Sequence, residues 1–487
     1  MNGFQKTSLK PVSHPEKPAH KASLWVKSHV FLTLGLLIFG FFVLKGVVGA
    51  LKVGNPFSIK QIVISAVSDP LKQDGKGHTN LLLLGVGGEG HDGENLTDTI
   101  IVASIDPRNK RVAMLSIPRD LYVENETVGW GARINSIYEN LIDAGETPEF
   151  AINEVISQVE SVVGMDIHYY AKVDFTGFSS VVDALGGVTV NVQSPIADLT
   201  YPAPTGSRAT YEPFYLQAGT QELDGETALK YARSRHTTSD FDRARRQQEL
   251  IEAIKDKALN LGILFKPNQI ESLWSAISDN FETNLTMTEA LRLADFAKKL
   301  ESGSVSSQVL SDGANLPGGF LYTPEREAYG GAFVLIPYLE DFSEIQRFAE
   351  LYFYHPEVFE SQIPLQVVNG TKREGLAGLT KMMLVRYGFN VVDYGNGANV
   401  PTPQTRIITY PPVESLSETE PQTDPELAGK TVELLELLLP VASLSAEVPP
   451  EYDPSIWETD GEIVIELGED FESFYDENKA YFYLGFY

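Results

Sequence analysis

Three short apolar runs, close together in the chain, most constrain its fold. They are Leu81–Val86, Thr99–Ile105 and Arg111–Ile117. Continuous apolar runs of this length are typical of strands that are covered on both faces. Asp106–Asn109 is a turn signal between the last two runs, so we predict that these two strands pair as a hairpin.

Helical patterns alternate with strand patterns in the next hundred residues. Thr147–Val163 carries an apolar stripe at helical spacing, and Phe175–Leu185 is a helix that ends at two glycines. Ile167–Val173 and Val188–Val192 are strand patterns. The alternation predicts an α/β fold, in which a mixed central sheet is covered by helices on both faces.

A second, smaller α/β unit is predicted from Ile363 onward. Leu365–Thr371 and Phe389–Tyr394 are strand patterns on either side of a helix at Gly375–Tyr387, which gives a β-α-β arrangement. Three further segments extend this unit: Arg406–Tyr410, Thr431–Leu439 and Glu462–Leu467.

An uncharged apolar run near the N-terminus determines the expected topology. Val30–Leu44 has no charge, and the apolar character resumes after Lys45, which can snorkel to the interface of a single membrane span. Lysines dominate residues 1–29, so the positive-inside rule keeps this tail in the cytoplasm. A cleaved signal peptide is the alternative, because Val48–Ala50 is a weak cleavage site. We therefore expect a single-pass protein of the cell membrane, with its N-terminus cytoplasmic and its later domains outside.

These patterns divide the chain into five parts. They are a cytoplasmic tail (1–29), a transmembrane anchor (30–51), a linker (52–78), a larger α/β domain (79–345) and a C-terminal α/β domain with acidic loops (363–487).

Charge and cysteine content exclude several classes of function. The chain has 38 Lys+Arg against 66 Asp+Glu, a net charge of −28, which argues against a nucleic-acid partner. From Pro411 onward there are nineteen acidic residues against two lysines, so the acidity is largely a C-terminal property. The absence of cysteine excludes disulfides, zinc–thiolate sites, iron–sulfur clusters and thiol nucleophiles.

Against this acidic background, residues 231–248 hold a dense cationic segment. Its arginines are Arg233, Arg235, Arg243, Arg245 and Arg246. Asp240 is placed to cap a helix that starts near Phe241. On that helix Arg243, Arg246 and Gln247 share one face with the apolar stripe. Inward-facing arginines are costly unless a negative group meets them, and either Asp240 or a bound phosphate fits that need.

Two aspartates flank the predicted hairpin at one edge of the sheet. Asp98 precedes the first strand and Asp120 follows the second, so strand pairing brings them together. Adjacent carboxylates repel unless a cation or proton intervenes. Mg²⁺, bound by one or two carboxylates plus phosphate oxygens, is a cation that suits such a pair.

The ordered motifs of the larger domain resemble the LytR-CpsA-Psr family of bacterial cell-wall assembly. They cover about residues 78–260 and are Thr97-Asp98-Thr99-Ile100, Ser116-Ile-Pro-Arg-Asp120, Arg133-Ile-Asn135, Asp174-Phe-Thr-Gly-Phe178, Val182-Asp-Ala-Leu-Gly-Gly-Val188, Leu223-Asp-Gly225, Ala228-Leu-Lys-Tyr-Ala-Arg-Ser-Arg235, Asp240-Phe-Asp-Arg243 and Arg246-Gln-Gln248. Residues 363–470 are similar to the LytR-type C-terminal domain of some members, on the strength of Val367–Thr371 and the β-α-β pattern.

The resemblance implies a Mg²⁺-dependent transferase that moves a glycopolymer from a polyprenyl-pyrophosphate carrier to peptidoglycan and forms a phosphodiester. By match, Asp98 and Asp120 hold the metal, and Asp240 orients an arginine or acts near the acceptor. The matching phosphate ligands are Arg119, Arg133, Arg233, Arg235, Arg243 and Arg246, with Gln247 beside them. Leu96 stands where the family often has a further arginine, which removes one phosphate contact.

In the family, a pocket for the polyprenyl tail lies between the sheet and the helices. The matching residues are Phe175, Phe178, Val181, Val182 and Leu185, and ordinary core packing is the alternative for each. Two rival functions stay open: a non-catalytic receptor or scaffold for polyprenyl phosphates, and a pyrophosphatase that uses water. The receptor needs the arginines but not a metal-activating acidic pair.

Overall fold

The computed structural model describes most of the chain from Pro70 onward. The described residues are 70–91, 93–125, 130–203, 210–234, 240–260, 280–297, 299–300, 304–339, 341–398, 400–410, 424–453, 457, 459 and 461–482. Within these ranges no helix is both long and apolar enough to cross a membrane. The predicted tail (1–29) and anchor (30–51) lie outside them.

The larger domain is built from fourteen described strands and seven helices that precede Pro356. The strands are β1 (Thr79–Val86), β2 (Thr99–Asp106), β3 (Arg111–Ser116), β4 (Tyr122–Asn125), β5 (Trp130–Arg133), β6 (Tyr169–Asp174), β7 (Val188–Val192), β8 (Ile196–Asp198), β9 (Phe214–Leu216), β10 (Gly219–Leu223), β11 (Phe281–Thr283), β12 (Val305–Val309), β13 (Leu321–Tyr322) and β14 (Ile336–Pro337). The helices are α1 (Ile137–Asp143), α2 (Pro148–Val163), α3 (Phe175–Ala184), α4 (Gly225–Arg233), α5 (Asp240–Asn260), α6 (Met287–Ala297) and α7 (Ser343–Tyr354).

The central sheet has six strands in the order β11-β6-β1-β2-β3-β12. β1 pairs parallel with β6 and antiparallel with β2, so the sheet is mixed, as predicted. β2 and β3 form the predicted hairpin, with Asp106 opposite Arg111 and Ile101 opposite Ser116. The Asp106 carboxylate closes the turn by accepting hydrogen bonds from the backbone amides of Arg108 (2.9 Å) and Asn109 (3.2 Å).

Both faces of this sheet are covered. Successive side chains along each strand point to opposite faces, so neighbouring residues of one strand pack in different cores. Leu82 and Leu84 of β1 pack in a core with α1, α2 and α7. Leu81 and Leu83 face the other side and pack with α6. The predicted cover of both faces is therefore confirmed. Helices α3, α4 and α5 form a third core with β7–β10.

The C-terminal domain is a second α/β unit whose core continues into the first. Its elements are α8 (Pro356–Ser361), β15 (Pro364–Asn369), α9 (Leu376–Arg386), β16 (Asn390–Asn396), β17 (Arg406–Thr409), α10 (Pro425–Leu438), β18 (Ser443–Leu444), β19 (Ile463–Leu467), α11 (Glu469–Glu477) and α12 (Lys479–Phe482). The sheet order is β16-β15-β19-β17-β18. β15 and β16 are parallel across α9, which confirms the predicted β-α-β arrangement. One hydrophobic core joins residues of both domains.

Candidate functional site

The hairpin brings three charged residues together at one edge of the sheet. Asp98 immediately precedes β2, and Arg119 and Asp120 follow β3. The guanidinium of Arg119 donates from Nη1 to Asp98 Oδ1 (3.0 Å) and from Nε to Asp120 Oδ2 (3.3 Å). The two carboxylates therefore share a cation from their own chain, which offsets the repulsion expected from their proximity.

Two further residues fix this acidic pair. Arg133, at the end of β5, donates to Asp120 Oδ1 at 3.3 Å. Asn135 donates from its side chain to Asp98 Oδ1 at 3.0 Å, and its carbonyl accepts from the Thr97 amide at 3.0 Å. Burial alone would raise the pKa of the Asp98 carboxyl, but the Arg119 charge and the hydrogen bond from Asn135 lower that pKa below its ordinary value. Asp98 is therefore ionised at neutral pH.

The donor set at this edge fits a magnesium ion that completes its shell with ligand oxygens. Asp98 and Asp120 both line the same cavity, and Mg²⁺ usually takes one or two carboxylates together with phosphate oxygens and water. Among the described residues no group of three or more His, Cys, Asp or Glu side chains is arranged to hold a metal alone.

Helix α5 supplies the opposite side of the cavity. Arg243 is 6% exposed, and Arg243, Ala244 and Gln247 all line the cavity. The positive charge of Arg243 is close enough to contribute to the lowered pKa of Asp98. Gln248 holds the helix in place, because its side-chain amide donates to Ser116 Oγ at 2.8 Å and to the carbonyl of Gln308 at 3.3 Å.

Arg246, a predicted phosphate ligand, is turned toward the protein interior instead. Its Nε donates to the carbonyl of Tyr231 (2.9 Å) and its Nη2 donates to the carbonyl of Ser234. These carbonyls belong to the C-terminal end of α4, where cations are favourable. Burial lowers the pKa of Arg246 below its ordinary value. Arg246 lines neither of the two cavities described here, and its contacts join α5 to α4.

The polar cavity between the sheet edge and α5 has a volume of about 210 Å³. Its remaining wall comes from the segment that follows β12. The lining residues are Asp98, Thr99, Ile100, Ser116, Ile117, Pro118, Arg119, Asp120, Arg243, Ala244, Gln247, Val309, Asp312, Phe333 and Leu335.

A second cavity, of about 150 Å³, is apolar and lies between the sheet and helices α3–α5. Phe175, Phe178 and Val181, three of the predicted tail-binding residues, line it. Val182 and Leu185 do not line it; they are 0% and 2% exposed within the core of α3–α5. The other lining residues are Leu83, Leu84, Gly85, Thr99, Ile101, Ala171, Val173, Asp174, Leu229, Ala232, Arg233, Gln247, Leu250, Ile251, Ile254 and Phe281.

Arg233 lies at the rim of the apolar cavity and is partly exposed. Its guanidinium lies over the ring of Phe175, 4.1 Å from the centroid, and donates to the hydroxyl of Tyr201 at 3.2 Å. Arg233 therefore places a cation beside apolar surface. Of the other predicted residues, Arg235 and the side chain of Asp240 lie outside the described part of the chain, although α5 begins at Asp240.

The two cavities meet at Thr99 and Gln247, which line both. On one side of these residues are the carboxylates with Arg119 and Arg243, and on the other side are aliphatic and aromatic side chains. A ligand with a charged group next to a hydrocarbon chain is complementary to this arrangement.

Several residues of the site were not expected from the sequence. Asn135 lies on a 3₁₀ turn at Ile134–Ser136, and the sequence does not indicate that its side chain binds Asp98. Asp312, Phe333 and Leu335 reach the cavity because β12 pairs parallel with β3, and Leu335 forms a parallel bridge with Leu121. Val305–Val309 mixes polar and apolar residues, so its pattern gave no strong signal for a strand.

A model of the LytR-CpsA-Psr family matches residues 53–329, which is more than half of the chain. The chain belongs to the LytR-CpsA-Psr family. Residues 362–471 match a second model, described as LytR cell envelope-related transcriptional attenuator.

The chain is similar in sequence to several bacterial cell-wall proteins. The polyisoprenyl-teichoic acid–peptidoglycan teichoic acid transferase TagV of Bacillus subtilis is 30% identical over 285 residues, which cover 58% of this chain and 65% of TagV. TagT of the same organism, which has the same description, is 28% identical over 302 residues, covering 60% of this chain and 87% of TagT. The cell wall biosynthesis protein LcpA of Corynebacterium glutamicum is 27% identical over 377 residues, covering 69% of this chain and 67% of LcpA.

The crystal structure of B. subtilis TagV is 26% identical and covers 57% of this chain and 97% of that structure, with a TM-score of 0.44.

Proposed function

We propose that this protein transfers a glycopolymer from a polyprenyl-pyrophosphate carrier to peptidoglycan, outside the cell membrane, and forms a phosphodiester. TagV and TagT are named for transfer of teichoic acid to peptidoglycan, and membership of one family favours the same class of reaction here. The polymer and the acceptor sugar are left open.

The observation that carries this proposal is the pair of adjoining cavities. A polyprenyl pyrophosphate has a hydrocarbon chain joined directly to two phosphates. Its chain fits the apolar cavity lined by Phe175, Phe178 and Val181, while its phosphates fit the polar cavity beside Arg119 and Arg243. Arginine is suited to this role because its planar fork binds phosphate oxygens in a bidentate manner.

The reaction breaks one phosphorus–oxygen bond and forms another. An acceptor hydroxyl oxygen attacks the phosphorus that carries the polymer and releases its proton to solvent. The bond to the bridging oxygen breaks, and polyprenyl phosphate leaves. Arg119 and Arg243 stabilise the negative charge that develops on the phosphates, and the protein needs little covalent chemistry of its own. Asp98 and Asp120 keep the Arg119 guanidinium oriented between them.

Mg²⁺ is part of this proposal, with Asp98 and Asp120 as its protein ligands. When bound, the metal would supply additional charge neutralisation at the pyrophosphate. The two carboxylates line one cavity. The lowered pKa of Asp98 favours its ionised form, which is the form that binds a hard cation.

The proposal is tested with the full chain, a polyprenyl-pyrophosphate-linked saccharide and peptidoglycan fragments, in Mg²⁺ and in chelator. We expect Mg²⁺-dependent release of polyprenyl phosphate together with covalent saccharide on the peptidoglycan, both measured by mass spectrometry. Release without attachment would favour the pyrophosphatase. Tight lipid binding with neither product, under any divalent metal, would favour the receptor and overturn the transferase.

A further inference from the structure

The β8–β9 hairpin presents an unusual outer face. Its strands pair Ala197 with Tyr215, and both of these residues are exposed. Tyr215 is 62% exposed, Tyr211 is 55% exposed and Leu199 is 52% exposed. We define the outer hairpin face as Ala197, Leu199, Pro202, Tyr211, Pro213 and Tyr215, all of them exposed and uncharged.

In the described part of this hairpin, the charged side chains contact other elements of the larger domain. In the described parts of the segment, residues 196–203 and 210–217, the charged residues are Asp198 and Glu212. Asp198 is 3% exposed and accepts a hydrogen bond from Ser234 Oγ at 2.9 Å. Glu212 is ion-paired with Lys230 at 2.9 Å. A neutral surface of this kind stands out in a chain with a net charge of −28.

The inner face of the same hairpin is connected to the apolar cavity. Tyr201 accepts the hydrogen bond from Arg233 at the cavity rim, and the ring of Tyr201 lies 6.1 Å from that of Phe214 on β9. Phe214 and Leu216 share one core with Val181 and Leu250, both of which line the cavity. The outer hairpin face is thus the exposed side of a wall that adjoins the proposed lipid site.

We infer that the outer hairpin face docks on the surface of a lipid bilayer, beside the point where the polyprenyl chain passes between membrane and cavity. Tyrosine is enriched at membrane interfaces, where an apolar ring and a polar hydroxyl are both accommodated. A surface without charge also avoids the repulsion that the acidic remainder of the chain would meet at anionic lipids. The inference rests on the proposed lipid substrate and adds the surface from which that substrate is taken.

The length of chain before the described residues is compatible with this contact. The apolar run at residues 30–51 is followed by residues 52–69, a stretch that spans at most about 60 Å when extended. A membrane anchor at this run would keep the larger domain close to the bilayer, so that a weak interfacial contact of a few side chains is sufficient to orient it.

The absence of cysteine allows a direct test on the full chain. Tyr215→Cys is labelled with the fluorophore NBD and reconstituted into phosphatidylcholine–phosphatidylglycerol vesicles that contain doxyl-labelled lipid. Leu437→Cys is the matched control, because Leu437 is 55% exposed but lies on α10 of the C-terminal domain. We expect at least threefold stronger quenching at position 215 than at position 437. Equal quenching at the two positions would overturn the inference.

A second copy of the chain is the competing occupant of this face. Efficient disulfide cross-linking of unlabelled Tyr215→Cys between two chains, without quenching by doxyl lipid, would assign the face to dimerisation and overturn the bilayer contact. Quenching without cross-linking supports it.

Kinetic measurements in vesicles and in micelles separate docking from the transfer reaction. The double variant Tyr211→Ser/Tyr215→Ser should raise the apparent KM for the lipid substrate about fivefold in vesicles, with kcat unchanged, and should leave KM unchanged in detergent micelles. An unchanged KM in vesicles would contradict the role in substrate uptake. If the wild type has no transferase activity, the proposed function fails while the quenching experiment still decides the docking.

Discussion

Two ion-pair arrangements in this molecule use the same groups in opposite surroundings. In the core between the two domains, Arg386 and Glu344 pair at 3.3 Å, with side chains 1% and 3% exposed. At the polar cavity, Arg119 pairs with Asp98 at 3.0 Å, with side chains 16% and 28% exposed. The first pair is closed to any incoming ligand, whereas the second lines a cavity and can exchange partners with one.

The two pairs have the same chemistry, and they differ in whether a ligand can reach their charged groups. Arg386 also donates to the carbonyl of Tyr481, and its own carbonyl accepts from the Gly318 amide at 2.8 Å. The hydrogen bond from Gly318 joins α9 to the loop that also contains Asp312, a residue of the polar cavity.

The largest effect is expected from breaking the closed pair. At pH 8, where the Glu344 carboxyl is mostly ionised, Arg386→Ala should lower the free energy of unfolding by about 3–5 kcal/mol, because this carboxyl would remain buried without its partner. Urea unfolding measures this change. Arg373→Ala is the control: its pair with Asp476 is exposed, so its loss should cost at most about 1 kcal/mol. Equal losses of stability in the two variants would contradict the distinction between the buried pair and the exposed pair.

The second effect concerns activity at the open cluster. Asp98→Ala should reduce cleavage of the pyrophosphate by at least about 10²-fold, through lost orientation of Arg119 and lost metal binding, while part of the lipid affinity is kept. Thermal melting should change little, since Asp120 retains Arg119 as a partner. In the wild type, Mg²⁺ with ligand should raise the melting temperature relative to chelator. Full activity in Asp98→Ala would reject the assignment of this residue.

A smaller effect is expected on binding alone. Arg243→Ala should weaken the affinity for a polyprenyl pyrophosphate by about 1.5–3 kcal/mol, the range for hydrogen bonds to charged groups. Arg245→Ala is matched to it on the same helix, because Arg245 is exposed and pairs with Asp242 at 2.6 Å. Its affinity should be within about 0.5 kcal/mol of the wild type. Isothermal titration with both variants would show whether the affinity depends on the position of the arginine on α5 or only on its positive charge.

The smallest effect is expected when the pH changes by one unit, and it concerns the free energy of unfolding. Burial raises the pKa of the Glu344 carboxyl from 4.5 to about 7, although the Arg386 charge opposes this shift. Between these two values the folded chain holds a proton that the unfolded chain has lost, so stability should fall as pH rises through this window. The slope from this group is at most about 1.4 kcal/mol per pH unit. Glu344→Gln should flatten it, and an identical slope in the variant would contradict the assignment.

The elements that the sequence predicted well are those determined by local pattern. The β2–β3 hairpin and the parallel β15–β16 pair followed from short apolar runs and turn signals. The hydrogen-bond partners of Arg246 could not be predicted in this way. Helical spacing places Arg243 and Arg246 on neighbouring parts of α5, but their partners depend on where α4 packs, and α4 receives Arg246 at its C-terminal carbonyls.

The far wall of the polar cavity was also beyond local pattern. It depends on β12, which pairs with β3 across a long separation in sequence, and on the bridge between Leu121 and Leu335. The orientation of α3 against the sheet decides which of its residues line the apolar cavity, and the sequence of one helix does not specify this orientation. The residues that line the cavity are Phe175, Phe178 and Val181, whereas Val182 and Leu185 pack in the core.

The shared boundary at Thr99 and Gln247 has a consequence for selectivity. A ligand that occupies both cavities must place the junction between its hydrocarbon and its charge at these two residues. For the proposed polyprenyl-pyrophosphate substrate, this junction is the bond between the first isoprene unit and the phosphate. Selectivity would then depend on the chemistry at that bond more than on the total length of the lipid or of the polymer.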